Sequence, residues 1–172
     1  VQAQAMGEQL AKLHLTLKKY PLKRTNAHGA TWWQKEAAKA RNGMSNIEQL
    51  ILDTVLNDFE ETIEDFDDLP KGLIHGDLFR DNTLFEGDKL SAMLDFSEAS
   101  KDYWLLDIAI TANDFCSDWP NVALNKPLFD AFISAYSQVR PLTEDEQEVL
   151  PTFLAMAATR FWLSRLSVAK RN

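Results

Sequence analysis

Cysteine is almost missing from this sequence: Cys116 is the only one. An internal disulfide is therefore excluded, and a reducing, cytoplasmic compartment is the expectation. No cluster of Cys and His has metal-ligand spacing either, which argues against a soft-metal site. Glycine is scarce, at six residues in 172, and neither G-x-x-x-x-G-K-[ST] nor G-x-G-x-x-G occurs, so the chain carries no glycine-rich phosphate loop. Positive charge is short as well. The 18 Lys and Arg stand against 26 Asp and Glu, giving a formal net charge of −8, and no basic tract interrupts the excess of acid. That balance argues against a nucleic-acid partner. No apolar run approaches the length that spans a bilayer, and the opening "VQAQAMGEQLAKLHLTLKK" lacks the basic-then-apolar order of a signal peptide. No membrane partner is expected.

What is present is ordinary for a globular chain: 45% hydrophobic residues, enough for one domain over 1–172 with its own core. Residues 3–19 read as an amphipathic helix, with Leu10, Leu13, His14 and Leu17 on one face of a 3.6-residue period. The stretch Tyr20 to Trp33 is a loop broken by Pro21 and Gly29. Thr31 is the expected N-cap of a short helix ending near Ala40. Ser45 with Glu48 makes a capping box for the next helix, whose apolar stripe is predicted at Ile47, Leu50, Ile51, Thr54, Val55, Asp58 and Phe59. The acidic "EETIEDFDD" leads out of it. The first residues already read as helix with no cap, so the chain is expected to begin within a domain.

The period changes at Pro70. "GLIH" is a short strand, and "TLFE" and "KLSAMLDF" flank "GD", a hairpin signal. After Tyr103 the pattern is helical again. "YWLLDIAITANDFC" is apolar nearly all round and predicts a buried helix. "KPLFDAFISAYSQV" and "TEDEQEVLPTFLAMAATRFWLSRLSVAKR" are amphipathic, with a kink or restart expected at Pro151. The fold class is α+β, mainly helical, with a small β-hairpin insert.

That insert gathers the chemistry. In "LIHGDLFRDNTLFEGDKLSAMLDFSEA", Asp77 and Asn82 lie five positions apart and Asp95 thirteen further on. A hairpin folding back on itself brings Asn82 beside Asp95, with Asp77 entering from the preceding loop. Taken singly, such residues serve as caps and turns, and His75 as a hydrogen-bonded structural histidine. Together they place three side-chain oxygens at one point. Mg²⁺ takes hard oxygen ligands and is commonly held by one or two side chains plus substrate phosphates. A carboxylate that is not a ligand can accept a hydroxyl proton during in-line attack. The protein-kinase order H-R-D-L-x-x-x-N followed by D-F-G is matched at His75, Asp77, Leu78 and Asn82 and at Asp95-Phe96, with Ser97 in place of the last Gly.

On these residues the chain resembles the kinase-like phosphotransferases grouped around aminoglycoside phosphotransferases and choline kinase; "HGDLFRDN", "LDF" and the "DIA" of Asp107 to Ala109 carry the likeness. It narrows to the homoserine kinase family through "LLDIAITANDFCSDW" (Leu105 to Trp119), "LAKLHL", the "WW" after "TNAHGAT", and "RFWLSRL" (Arg160 to Leu166). The resemblance implies an ATP-dependent kinase acting on the hydroxyl of L-homoserine, on the route to threonine. It implies Asp77 as catalytic base, Asn82 and Asp95 as ligands of Mg²⁺ at the ATP site, His75 as structural support, and Asp107 as a brace for the loop. Such kinases also have an N-terminal lobe that covers the nucleotide, with a Lys for the phosphates. This sequence shows none of it. It is expected to be the C-terminal lobe of a protein-kinase-like fold, inactive alone and completed by a lobe of the same polypeptide.

A homoserine carboxylate calls for Arg, and Arg80, Arg160 and Arg165 are the candidates. Arg160 and Arg165 lie in an apolar helix, where an ion pair or an extended reach to solvent is the alternative. Trp32, Trp33, Trp104 and Trp162 serve either the site or the core. Two further readings stay open: a related kinase for choline, methylthioribose or an aminoglycoside, for which "EETIEDFDD" would supply acids, and a non-catalytic kinase-like binding module.

Overall fold

The structure is a computed structural model that describes residues 1–118 and 120–169. Trp119, which ends the Leu105–Trp119 segment, and Lys170 and Arg171 of the last predicted helix lie outside the described residues. The first helix, α1 (Gln2–Leu17), buries Ala3, Met6, Gly7, Leu10, Ala11 and His14. Gly7 decides what packs there. A Cβ at this position would lie 2.1 Å from the Phe132 carbonyl oxygen, so only glycine lets the backbone of α5 (Lys126–Val139) come this close.

Helix α2 (Ala30–Ala40) starts earlier than expected. Gly29, not Thr31, is the N-cap, and its carbonyl accepts the Trp32 and Trp33 N–H groups at 2.9 and 3.1 Å. In α3 (Asn46–Asp65) the capping box forms as read: Ser45 Oγ accepts the Glu48 N–H at 3.3 Å, and the Glu48 carboxylate accepts the Ser45 N–H at 2.7 Å. The buried face of α3 is a correction. It carries Leu52, Leu56 and Phe59, whereas Ile47, Leu50 and Ile51 are exposed at 72%, 66% and 52%. Of the expected stripe, Phe59 and the partly buried Val55 do face the core; Leu52 and Leu56 share that face because it is the one turned to Trp33 and Phe153, which meet the Phe59 ring edge-on at 5.1 and 4.9 Å.

The β elements form three two-stranded antiparallel sheets among the described residues. The hairpin of β2 (Thr83–Glu86) and β3 (Lys89–Met93) was legible. The partner of β1 (Lys71–Ile74) was not. It is β4 (Ser100–Tyr103), in the register Gly72 to Asp102 and Ile74 to Ser100. The polar "SKDY" of β4 gives no hydrophobic alternation to detect. A short pair, β5 (Ser117–Asp118) with β6 (Ala123–Leu124), also went unread.

Helix α4 (Trp104–Phe115) is buried almost all round, as its composition requires. The last helix, α6 (Glu144–Ala169), runs unbroken through Pro151 and packs against α4, α3 and α2. No restart occurs because Pro151 and Gln147 both face solvent, so water can satisfy the Gln147 carbonyl that loses its N–H donor. No described helix is long and apolar enough to cross a membrane.

Candidate active site

Strand β1 ends at Ile74, and the chain turns sharply into His75-Gly76-Asp77. Gly76 sits at φ 80°, a backbone state open to glycine at little cost. The turn is held from below by Asp107 of α4. One carboxylate oxygen accepts the His75 N–H at 2.8 Å and the other accepts the Gly76 N–H at 2.9 Å. Burial opposes the charge on Asp107, yet the hydrogen bonds from His14, Gly76 and His75 prevail and hold this carboxyl below its ordinary value.

His75 is fully buried. Its Nε2–H donates to the Leu94 carbonyl at 2.8 Å, and its Nδ1 accepts the Asp77 N–H at 3.3 Å. The ring thereby ties the turn to the end of β3. Leu78 is buried in the core, which anchors the loop and leaves Asp77 half-buried at its rim.

A 3₁₀ turn over Arg80–Asn82 leads into β2. The Asn82 amide nitrogen donates to the Asp77 carbonyl at 2.7 Å and to Asp77 Oδ2 at 3.2 Å. Its amide oxygen is thereby turned away from Asp77. The Asn82 carbonyl accepts the Leu94 N–H at 2.8 Å, which sets Asp95, the next residue, beside Asn82. Asp95 adopts the left-handed conformation at φ 55° and accepts the Ser97 N–H at 3.1 Å. Hydrogen bonding by Ser97 keeps the Asp95 carboxyl below its ordinary value. Asp77 and Asn82 are thus joined by hydrogen bonds, and the backbone sets Asp95 next to Asn82. Among the described residues no group of three or more His, Cys, Asp and Glu is arranged to hold a metal; the oxygen donors here are one amide and one exposed carboxylate. Such hard, sparse donors fit Mg²⁺, which keeps other positions for phosphate and water.

The three arginines part company. Arg80 turns away: its guanidinium donates to the Phe115 carbonyl at 3.1 Å at the end of α4, and its backbone N–H is taken by Asp114 at 2.7 Å. Arg165 is exposed and stacks on Phe161, 4.7 Å from the ring centroid. Arg160 is the one at the site. It is buried to 9% exposure, and its Nη1 donates to the Gly76 carbonyl at 2.8 Å. Burial holds its guanidinium below the ordinary value, against the attraction of Asp77, Glu98, Asp107 and Asp102. Of the tryptophans, Trp33 and Trp104 are core residues, Trp162 is packed against the core, and Trp32 sets its face edge-on to His28 at 4.8 Å.

Some residues at the site were not legible. Glu98 and Asp102, whose charges act on Arg160, lie on the polar segment where no strand was read. His14 read as one more position on an apolar helical face. It is buried, and its Nε2–H donates to Asp107 at 3.0 Å while its Nδ1 lies 2.7 Å from the Tyr136 hydroxyl. Trp104 stacks on the His14 ring at 5.4 Å, and Arg140, paired through two 2.9 Å bonds with buried Glu146, lies over Trp104. Asp107 is therefore the inner end of a buried polar chain reaching to the start of α6.

Among solved structures, choline kinase LicA from Streptococcus pneumoniae superposes with a TM-score of 0.70 at 16% identity, over 99% of this chain and 56% of that one. Amicoumacin kinase hAmiN, solved with AMP-PNP, Ca²⁺ and Ami, gives 0.68 at 20% identity, over 97% and 52%. These likenesses establish a kinase-like, mainly helical α+β fold. In sequence, homoserine kinase of Methylobacillus flagellatus is 41% identical over 163 residues, 95% of this chain and 50% of that protein. Homoserine kinase of Neisseria meningitidis is 34% identical over 160 residues, 93% and 52% respectively. The chain spans about half the length of the curated relatives it matches. The model of a family described as phosphotransferase enzymes matches residues 1–142, and with most of its length so matched, this chain belongs to the phosphotransferase enzyme family.

Proposed function

We propose that this chain is the C-terminal catalytic lobe of an ATP-dependent kinase that phosphorylates the hydroxyl of L-homoserine. In this reading an N-terminal nucleotide lobe of the same polypeptide completes the ATP site, and the enzyme works in the cytoplasm, where its single buried Cys116 stays reduced. The observation that carries the reading is the bonding of Asn82 to Asp77 on a loop held from below by both oxygens of Asp107, with Asp95 brought next to Asn82 through the Leu94 N–H. The identity to homoserine kinases supports the choice of acceptor.

Asp77 is the proposed base. Asn82 occupies its Oδ2, so Oδ1 is the atom that accepts the acceptor's hydroxyl proton. The freed oxygen bonds to the terminal phosphorus of ATP, the bond from that phosphorus to the bridging oxygen breaks, and ADP leaves. Asn82, through its amide oxygen, and Asp95 would hold Mg²⁺, which when bound neutralises charge on the phosphates. Asp107 and His75 keep the loop in place, which limits the reorganisation needed during reaction. Arg160 would take the acceptor's carboxylate, since of the three guanidinium groups it is the one bonded to the backbone beside Asp77.

A coupled kinase assay on the full-length polypeptide, run over a panel of hydroxyl acceptors, tests this. Turnover of L-homoserine that requires both ATP and Mg²⁺ is the expected result. A preference for choline, methylthioribose or an aminoglycoside would replace the acceptor, and no turnover of any alcohol would leave a binding module.

A further inference from the structure

Glu98 packs on Gly76, whose carbonyl is bound by Arg160, and the charges of Glu98 and Asp102 both act on that guanidinium, yet among the described residues neither forms an ion pair with it. Each charged group is tethered elsewhere. Arg160 is held to the Gly76 carbonyl. Asp102 accepts the Asn26 amide at 2.7 Å and the Tyr103 N–H at 2.7 Å. Glu98 accepts His28 Nδ1 at 2.9 Å, and the His28 N–H is bound by the Asn26 side chain at 2.9 Å. The loop carrying Asn26 and His28 is itself pinned to β4, where its Arg24 carbonyl accepts the Lys101 N–H at 2.8 Å. Opposite charges that act on one another are thus each tethered to other partners.

Two further features leave polar groups of this region without protein partners. Arg160 has five N–H donors, and its one hydrogen bond uses one of them. Ser100 is 1% exposed, and its hydroxyl has no partner among the described residues. Strand alternation sets Ser100 on the same face of β4 as Asp102. A buried hydroxyl and a buried guanidinium left short of partners are costly unless something else binds them. This cluster also adjoins the proposed base. A Cβ on Gly76 would lie 3.0 Å from the Glu98 carbonyl oxygen, so Glu98 is packed directly on the residue before Asp77.

The geometry points to a zwitterion-binding subsite in which Asp102 and Glu98 hold the acceptor's ammonium while Arg160 holds its carboxylate. This deepens the proposed function and rests on it: the subsite selects an α-amino acid bearing a hydroxyl over an alcohol without the amine. Burial raises the Asp102 carboxyl above its ordinary value, which is the condition of a carboxylate that gains from an arriving cation.

The test uses the full-length polypeptide and two acceptors, L-homoserine and the hydroxy acid that lacks its amine, 4-hydroxybutanoate. Asp102→Asn should raise the KM for homoserine at least about tenfold, the loss of one charge-assisted contact. It should leave the ATP KM within about twofold and erode the preference for the amine-bearing acceptor by the same factor as the homoserine effect. Glu98→Gln should show the same selectivity, and it carries the test by itself if Asp102→Asn does not fold. A merely structural role would instead lower the melting temperature and depress turnover of both acceptors equally, and that result overturns the subsite, as does an unchanged homoserine KM. If the wild-type enzyme rejects homoserine but favours another amine-bearing alcohol whose KM rises in Asp102→Asn, the acceptor's identity fails and the subsite stands. A wild-type preference for amine-free alcohols overturns both.

Discussion

His14 and Asp107, 93 positions apart, share a hydrogen bond of 3.0 Å in the fully buried centre of the protein. The same Asp107 oxygen also accepts the His75 N–H, so a residue of the first helix acts on the loop bearing the proposed base through one carboxylate. Asp107→Asn replaces an acceptor with a donor facing an N–H group. It is expected to cost at least about 2 kcal/mol, the charge of a buried hydrogen-bonding mismatch. The pH dependence has a definite sign. Because the folded state holds this carboxyl below its ordinary 3.8, its contribution is complete above that value and is lost as the pH falls through the lower folded-state value. Urea midpoints of wild type and variant should therefore differ most at neutral pH and converge in acid; a gap that stays constant with pH would remove Asp107 ionisation from the account.

Asp77→Asn in the full-length polypeptide should reduce turnover by about 10²–10⁴-fold while the melting curve stays close to that of wild type. The amide is isosteric, and Asp77 lies half-buried at the rim of the core. Near-normal turnover would take Asp77 out of the proposed chemistry.

Asn82→Ala and Asp95→Asn are expected to raise the Mg²⁺ concentration needed for half-maximal rate at least about tenfold. Asn82→Ala should also lower the maximal rate, because its amide orients Asp77. Titration of Mg²⁺ at saturating ATP separates the two effects. If neither variant changes the Mg²⁺ requirement, these residues are not its ligands.

The arginines provide an internal comparison. Arg160→Ala should raise the homoserine KM at least about tenfold and leave the ATP KM nearly unchanged. Arg165→Ala, at an exposed site stacked on Phe161, should alter stability by no more than about 0.5 kcal/mol and leave both constants in place. Melting curves belong beside the kinetics. An Arg160→Ala enzyme that loses stability but keeps its homoserine KM would make Arg160 a structural cation.

Gly7→Ala tests the packing of α1 on α5. The added Cβ meets the Phe132 carbonyl oxygen, and the backbones must separate, at a cost of about 1–3 kcal/mol. Chemical denaturation should show the loss, and a variant as stable as wild type would mean the two helices separate freely.

Short-range signals were readable because their physics is local. The Ser45–Glu48 capping box, the "GD" hairpin and the all-round burial of α4 each depend on residues within a turn or two of one another. The likeness to kinase-like phosphotransferases rested on the same kind of contiguous signal, "HGDLFRDN" and "LDF", and the fold agrees with it. Adjacency of Asn82 and Asp95 was also legible, since a hairpin folding back on itself requires it.

Long-range partnership was decided by tertiary structure. The stripe read along α3 joined Phe59 to Ile47, Leu50 and Ile51, and only the arrival of Trp33 and Phe153 set Phe59 on a buried face shared with Leu52 and Leu56 instead. Arg80, Arg160 and Arg165 were equal candidates in sequence; packing sent one to the end of α4, left one on the surface and buried one under Gly76. Nothing near His14 announces Asp107, and nothing in "SKDY" announces that Asp102 will stand across from Gly72. A side chain's charge is written in the sequence, but its desolvation and its partners exist only once distant segments have packed together.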